Sequence, residues 1–217
     1  ILIFVILRGL YVLRPVQGSH VSGFDSSFLV FSAGAVGIGA VIVLMYLYQT
    51  YFGSLYLHIG VVSSLFMAGL MVGAASVRYA LAGRKKPRAE IPLLLVILFH
   101  SLILCAIAFW PGEQWTHVVF AIAFVVGGLC TGCYFPIAAG QLADSDVETG
   151  RAGSTLETAD HIGASVGGIV TSLALVPVLG AGTTFFFFVA LILANAPTTV
   201  LRAFKPEMAR FSDALIY

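Results

Sequence analysis

The chain has 217 residues, of which 59% are hydrophobic and only 10% are charged, and its mean hydropathy is +1.02. Soluble domains carry about 25% charged residues, so this composition excludes an ordinary soluble domain. It also excludes a nucleic-acid-binding protein, because the chain is too apolar for that role. We therefore expect the lipid bilayer, and no nucleic acid, to be the principal partner.

Six apolar runs follow one another along the chain, and at about 20 residues each they match a hydrocarbon core of about 30 Å. The predicted helices span about 28–51, 58–81, 92–110, 118–142, 154–178 and 183–200. Ser154 and Glu157 form an S-x-x-E pattern that predicts the start of the fifth helix. The prediction is an all-α, polytopic membrane helix bundle. Its three regions are a partial apolar or interfacial segment with a linker at 1–26, a six-helix transmembrane domain at 27–201, and a polar tail at 202–217.

Connecting segments that are rich in Lys and Arg alternate along the chain with segments that have none. The segment 84–88 holds four of them, whereas the segments 53–57 and 111–117 hold none. Basic loops are retained in the cytoplasm during insertion, so this alternation predicts the orientation. All eleven Lys and Arg residues then lie inside. We expect a multi-pass protein of the inner (cytoplasmic) membrane, with cytoplasmic basic loops and a cytoplasmic C-terminus.

Pairs of glycines separated by four positions recur in the predicted helices. In lipid, helices associate by close packing of small residues, because a neighbouring helix is no more apolar than the lipid tails. We expect three such pairs to mark helix contacts, namely Gly69 with Gly73, Gly128 with Gly132, and Gly163 with Gly167.

Polar side chains inside apolar runs are costly in a bilayer, so they are the candidate ligand-binding groups. His100 on the third helix and His161 on the fifth both fall roughly 12–14 Å from the cytoplasmic boundary, at about 1.5 Å per residue. Tyr134 and Asp160 lie in the same inner half. The sequence predicts a polar pocket among the third, fourth and fifth helices. A structural alternative stays open for each group, such as a hydrogen bond to a backbone carbonyl.

Further polar residues are candidates for binding a ligand, a haem or a metal. Gln49, near the outer end of the first helix, is a candidate for binding a polar ligand or the next helix. His100 and His161 could together hold a haem iron, as paired axial imidazoles do. Cys130 and Cys133 are interpreted as packing residues, and no Cys/His set completes a metal site. We expect no metal and no resident cofactor.

Several stretches carry a family resemblance. They are YQTYFGSLYLHIG at 48–60, LFMAGLMVG at 65–73, CYFPIAA at 133–139 and GRAG at 150–153, followed by Ala159-Asp160 and Gly163. Together, over about residues 23–200, they resemble the membrane region of bacterial spermidine-synthase-like integral membrane proteins. The resemblance implies a hydrophobic multi-helix region that accompanies a soluble aminopropyltransferase-type domain. The six-span unit also resembles half of a major-facilitator transporter, with Arg78 and Gly83-Arg84-Lys85 after the second helix.

No catalytic motif occurs in the apolar runs, and the aminopropyltransferase-type domain is not in this sequence. We therefore expect a non-catalytic membrane subunit or domain that acts as an anchor or scaffold in a larger assembly, with other membrane-protein subunits as partners. Two alternatives stay open. One is a half-transporter of a small polar or cationic solute, and the other is a subunit of a membrane redox complex that holds haem or quinone.

Overall fold

The structure, a computed structural model, describes residues 23–81, 89–109, 115–143, 149–200 and 203. The predictions for segment 1–22 and for tail residues 204–217 fall outside these ranges. Within them the chain is almost entirely helical and contains no strand. The all-α prediction is therefore confirmed for the part of the chain that the structure describes.

The long helices are α1 (Gly23–Phe52), α2 (Leu55–Leu81), α3 (Glu90–Phe109), α4 (His117–Ala143), α5 (Thr149–Val170) and α6 (Gly180–Leu193). A π-helical segment, Thr171–Leu179, joins α5 to α6, and a short helix follows at 196–200. Each helix corresponds to one predicted span. Pro92 lies in the first turn of α3, where its missing N–H has no intrahelical partner to lose.

The start of α5 differs from the prediction. The S-x-x-E pattern predicts an N-cap at Ser154, but the helix already begins at Thr149. Ser154 Oγ donates to the carbonyl oxygen of Arg151 at 3.1 Å, and Thr155 Oγ1 donates to the same carbonyl at 2.8 Å. Because these hydroxyls bond to the preceding turn rather than to free N–H groups, the helix extends through the polar residues before them.

Five helical stretches are long and apolar enough to cross a membrane, and they are Gly23–Phe52, Tyr56–Leu81, Glu90–Phe109, His117–Leu142 and Gly150–Val200. The last stretch has 51 residues. At 1.5 Å per residue a straight helix of that length would measure about 75 Å, more than twice the hydrocarbon core. A single crossing of the membrane is too short for this stretch, so the chain has to reverse direction within it.

The chain reverses direction at Gly180, whose φ of 76° suits a residue without a Cβ. Thr171 before the reversal and Phe188 after it both lie against Gly39 of α1. Along a straight helix those two residues would be about 25 Å apart. The stretch Gly150–Val200 therefore provides both the fifth and the sixth predicted helices.

Contacts between helices fix their relative directions. Helices α1 and α5 are parallel, because residues later in α1 contact residues later in α5: Phe31 contacts Gly163, and Ala35 contacts Gly167. Helices α2 and α4 are parallel for the same reason: Phe66 contacts Gly128, and Leu70 contacts Gly132. Positions run in opposite senses between α1 and α4 and between α1 and α6; the contacts are Gly37 with Thr131, Tyr48 with His117, Gly39 with Phe188, and Ser32 with Asn195. Successive helices therefore alternate in direction, as repeated crossing of a bilayer requires.

The bundle has two distinct ends. At the turn end, α1 passes into α2 through residues 53–54, α4 begins, and the chain reverses at Gly180. Phe109 at the end of α3 meets Phe186 near the start of α6, with ring centroids 5.1 Å apart, so α3 also finishes there. The opposite end is called the basic end, because α2 ends and α3 begins there and the sequence between them, 82–88, holds four Lys and Arg residues. Helix α4 ends and α5 begins at this end too, and the sequence between them, 144–148, holds three acidic residues and no basic one.

Helix α1 is the most enclosed helix. In its apolar 18-residue window 67% of residues are buried, against 22% in the corresponding window of α2, and α4, α5 and α6 all pack on it. Small residues from Ala33 to Ala40 explain this central position, because they let several neighbours approach its backbone at once.

The six glycines of the predicted packing pairs all lie at helix contacts. A Cβ on Gly69 would overlap the carbonyl oxygen of Val125, and one on Gly128 would overlap that of Phe66. Gly73, Gly132, Gly163 and Gly167 are placed in the same way against a neighbouring backbone. Helices α2 and α4, and helices α1 and α5, are thus in backbone-to-backbone contact, which only glycine permits at these positions.

Candidate functional site

His100 and Tyr134 form a buried pair between α3 and α4. His100 Nδ1 lies 3.2 Å from Tyr134 Oη, and the ring centroids are 5.8 Å apart. His100 is 1% exposed and Tyr134 is fully buried, so each ring depends on the other for its polar contact. The structure therefore brings together two of the predicted site residues, and their hydrogen bond links α3 to α4.

Asp160 and His161 lie on α5, away from that pair. His161 is exposed, and its Nδ1 donates to the carbonyl oxygen of Glu157 at 2.8 Å. Asp160 is partly buried against α1, where its Oδ1 lies 2.6 Å from the position that a Cβ on Gly34 would take. Helix α5 thus turns Asp160 towards α1 and His161 away from the bundle.

The predicted pocket among the third, fourth and fifth helices is therefore wrong. His100 is buried against α4, whereas His161 lies on the exposed side of α5, so the two imidazoles do not face one cavity. Depth along a helix can be counted in the sequence, but the side of the helix that faces the bundle is set by packing. The same placement gives no support to a haem held between these two histidines.

Gln49 is also separate from the His100–Tyr134 pair. It is exposed near the turn end of α1, and its carbonyl oxygen accepts a hydrogen bond from the N–H of Gly53 at 2.9 Å. Gly53 has a φ of 65°, so this bond closes the turn into α2 with a residue that tolerates a left-handed backbone. The backbone of Gln49 has a structural role in that turn.

A second group of polar rings, which the sequence did not predict, lies at the turn end. Tyr48 Oη is 2.9 Å from His117 Nδ1, and the imidazoles of His58 and His117 have centroids 5.9 Å apart. Phe52 stacks on His117 at 4.0 Å. Tyr48 and His117 are 69 positions apart in the chain. The only signal in the sequence was that each of these polar rings falls at the end of an apolar run.

The bundle also contains an apolar cavity of about 240 Å³ among α1, α5, the π-helical segment and α6. Its walls include Phe31, Leu175 and Phe188, and Thr171 is the single polar residue that lines it. Thr171 is fully buried, and its Oγ1 has no hydrogen-bond partner among the described residues. With one hydroxyl and otherwise apolar walls, the cavity is unsuited to a charged solute.

The two cysteines of α4 lie beside a smaller apolar cleft of about 220 Å³ between α3 and α4. Cys133 Sγ donates to the carbonyl oxygens of Leu129 at 3.2 Å and of Gly73 at 3.6 Å, which places it at the α2–α4 contact. In the described ranges no group of three or more His, Cys, Asp or Glu side chains could hold a metal ion. These placements agree with the interpretation of the cysteines as packing residues.

Comparison of the chain with protein-family models, with curated proteins and with solved structures finds no match. The class of the protein therefore follows from its own fold and composition. Long apolar helices, alternating in direction and packed through glycines, define a polytopic all-α membrane protein.

Proposed function

We propose that this chain is a non-catalytic integral membrane subunit or domain that anchors or scaffolds a larger assembly. The observation that carries the proposal is the backbone-to-backbone contact of α2 with α4 and of α1 with α5. Interlocked glycine contacts resist sliding and rotation, since any shift brings a side chain against the neighbouring backbone. A bundle held in this way suits a fixed platform better than a protein that must alternate between two conformations.

The distribution of polar groups supports the same proposal. His100 pairs with Tyr134 between α3 and α4, and Asn195, in the turn after α6, donates to Ser32 of α1. These buried pairs join different helices and do not line a shared cavity. Such hydrogen bonds contribute to holding helices together in lipid, at about 0.6 kcal/mol on average. Their arrangement favours a structural role over a pathway for solute.

For orientation, we propose that the basic end faces the cytoplasm in the inner membrane. Lys and Arg concentrate in segment 84–88, and cytoplasmic loops carry such an excess. The resemblance to the membrane region of spermidine-synthase-like proteins suggests the kind of partner. A soluble aminopropyltransferase-type domain, or another subunit that carries one, would be held at this end.

The proposal is tested by purifying the tagged chain from its native membrane in mild detergent and identifying the chains that co-purify. We expect one or more partners in constant ratio to this chain. Gly128→Leu, which would separate α4 from α2, should reduce the yield of partner at equal recovery of the tagged chain. Gly127→Leu is the matched control, because a Cβ there meets no atom within 4 Å. Recovery as a lone monomer would contradict the proposal.

A half-transporter is a second candidate, and Asp160 is the observation that favours it. A partly buried carboxylate within an apolar stretch is costly in a bilayer and often marks a solute or proton pathway. The test is uptake of small cationic or polar solutes by proteoliposomes containing the chain. Transport that depends on the carboxylate should fall strongly in Asp160→Asn. The absence of uptake, or uptake unchanged by that substitution, would eliminate this function.

A further inference from the structure

We propose that His58 and His117 form a binding site for a transition-metal cation of the Zn²⁺ and Cu²⁺ class at the turn end of the bundle. Neutral imidazole nitrogen is a preferred ligand of these ions. The site would use two side chains of the protein and complete its coordination with water. It is separate from the buried His100–Tyr134 pair and does not depend on the scaffold function proposed above.

The spacing of the rings is the first argument. The centroids of His58 and His117 are 5.9 Å apart, and the ring planes are inclined by 34°. When two imidazoles bind one tetrahedral ion at about 2.0–2.1 Å, their centroids lie roughly 5 Å apart. A shift of about 1 Å, within the reach of small side-chain rotations, brings these rings to that spacing.

The hydrogen bonds of the rings are the second argument. His58 Nδ1 donates to the carbonyl oxygen of Ser54 at 3.0 Å, because a carbonyl can only accept. In neutral His58 the lone pair is therefore on Nε2. His117 Nδ1 is bonded to Tyr48 Oη at 2.9 Å, and in the tautomer in which Nδ1–H donates to this oxygen the lone pair of His117 is also on Nε2. Histidines that bind metals use this pattern, with the second nitrogen held by a backbone carbonyl or another oxygen.

The surroundings are the third argument. Tyr48 is 3% exposed, and its ring lies 5.8 Å from His58 and 5.6 Å from His117, measured between centroids. The ring of Phe52 stacks on the imidazole of His117, with the centroids 4.0 Å apart. These packed rings restrict the orientation of both ligands. His117 is exposed and His58 is partly exposed, so both side chains are accessible from outside the bundle.

The test is calorimetric titration of Zn²⁺ alone into the full chain in lipid nanodiscs. We expect one ion per chain, and a loss of affinity of at least about tenfold in His58→Ala and in His117→Ala. Tyr48→Phe removes the oxygen that holds His117 and should weaken binding by about 10-fold or somewhat more. His161→Ala is the matched control. Like His58, His161 bonds a backbone carbonyl one turn earlier through Nδ1, but it lies on α5 and is not part of the proposed site. This variant should bind as the unmodified chain does.

Electron paramagnetic resonance of bound Cu²⁺ identifies the ligands directly. We expect coupling to two imidazole nitrogens in the unmodified chain and to one in each single variant. If an alanine variant fails to fold, judged by helicity and melting, His58→Gln and His117→Gln replace it and should show the same losses. Unchanged Zn²⁺ affinity in folded variants of both histidines, an equal loss in His161→Ala, or a single imidazole in the unmodified chain would overturn the proposal.

Discussion

Buried hydroxyls in this bundle fall into two kinds that have opposite energetic consequences. Thr184 Oγ1 donates to the carbonyl oxygen of Gly180 at 2.7 Å, and so the hydroxyl is satisfied within its own helix. Thr171 is equally buried, but its Oγ1 has no partner among the described residues and borders the apolar cavity. A polar group buried without a partner costs about 1–3 kcal/mol, so Thr171 is a source of instability.

We predict that Thr171→Val leaves the free energy of unfolding unchanged or raises it by about 1–2 kcal/mol, because valine keeps the shape and removes the unpaired hydroxyl. Thr184→Val should lower it by about 0.5–1.5 kcal/mol through loss of a hydrogen bond. Unfolding in mixed micelles of mild and denaturing detergent measures both. If Thr171→Val were as destabilising as Thr184→Val, the Thr171 hydroxyl would have a bound partner in the membrane.

At the scale of helices, the contact between α2 and α4 shows how a one-residue step changes the role of a glycine. Gly128 faces α2, and a Cβ there would overlap the carbonyl oxygen of Phe66. Its neighbour Gly127 points elsewhere, and a Cβ there meets nothing within 4 Å. Because consecutive helical residues differ by about 100° in direction, only one of the two can lie at the contact.

We predict that Gly128→Ala lowers the free energy of unfolding by about 1–3 kcal/mol, since the added methyl has to push two backbones apart. Gly127→Ala should be neutral or slightly stabilising, because alanine favours a helix by up to about 1 kcal/mol relative to glycine. The same detergent unfolding measurement applies. Equal effects of the two substitutions would show that α2 and α4 are not in backbone contact at Gly128.

At the scale of the whole molecule, alternating helix directions place the connecting segments at two ends of different charge. The turn end contains Ser54 and the reversal at Gly180, while the basic end contains segment 82–88. The reversal matters most, because it makes two crossings out of the 51-residue stretch Gly150–Val200. The number of crossings decides on which side of the membrane the C-terminal tail emerges.

Cysteine labelling in intact cells tests this arrangement, in a background whose three native cysteines are replaced by alanine. We predict that a membrane-impermeant reagent labels Ser54→Cys and Gly182→Cys from outside, and labels Lys85→Cys only after the cells are opened. The physical reason is that basic segments stay in the cytoplasm. Labelling of Gly182→Cys and Lys85→Cys from the same side would show that the reversal at Gly180 does not separate two crossings.

The sequence alone determined the helices and the glycines that lie between them. Pro92 marks the first turn of α3, and the pairs that begin at Gly69 and Gly128 fall at one helix contact. These features are readable because the bilayer imposes local rules. Each crossing needs about 20 apolar residues with all backbone hydrogen bonds made internally, and close contacts need small residues.

Only the tertiary structure decided which polar groups meet. It joined His100 to Tyr134, turned His161 outwards, and brought Tyr48 to His117 across 69 positions of sequence. Similar apolar side chains surround every helix, so hydropathy does not fix the rotation of a helix about its own axis. That rotation is set by the packing of the helices against one another. Consecutive residues of a helix point about 100° apart, so rotating a helix by one residue can move a side chain from the interior of the bundle to the lipid.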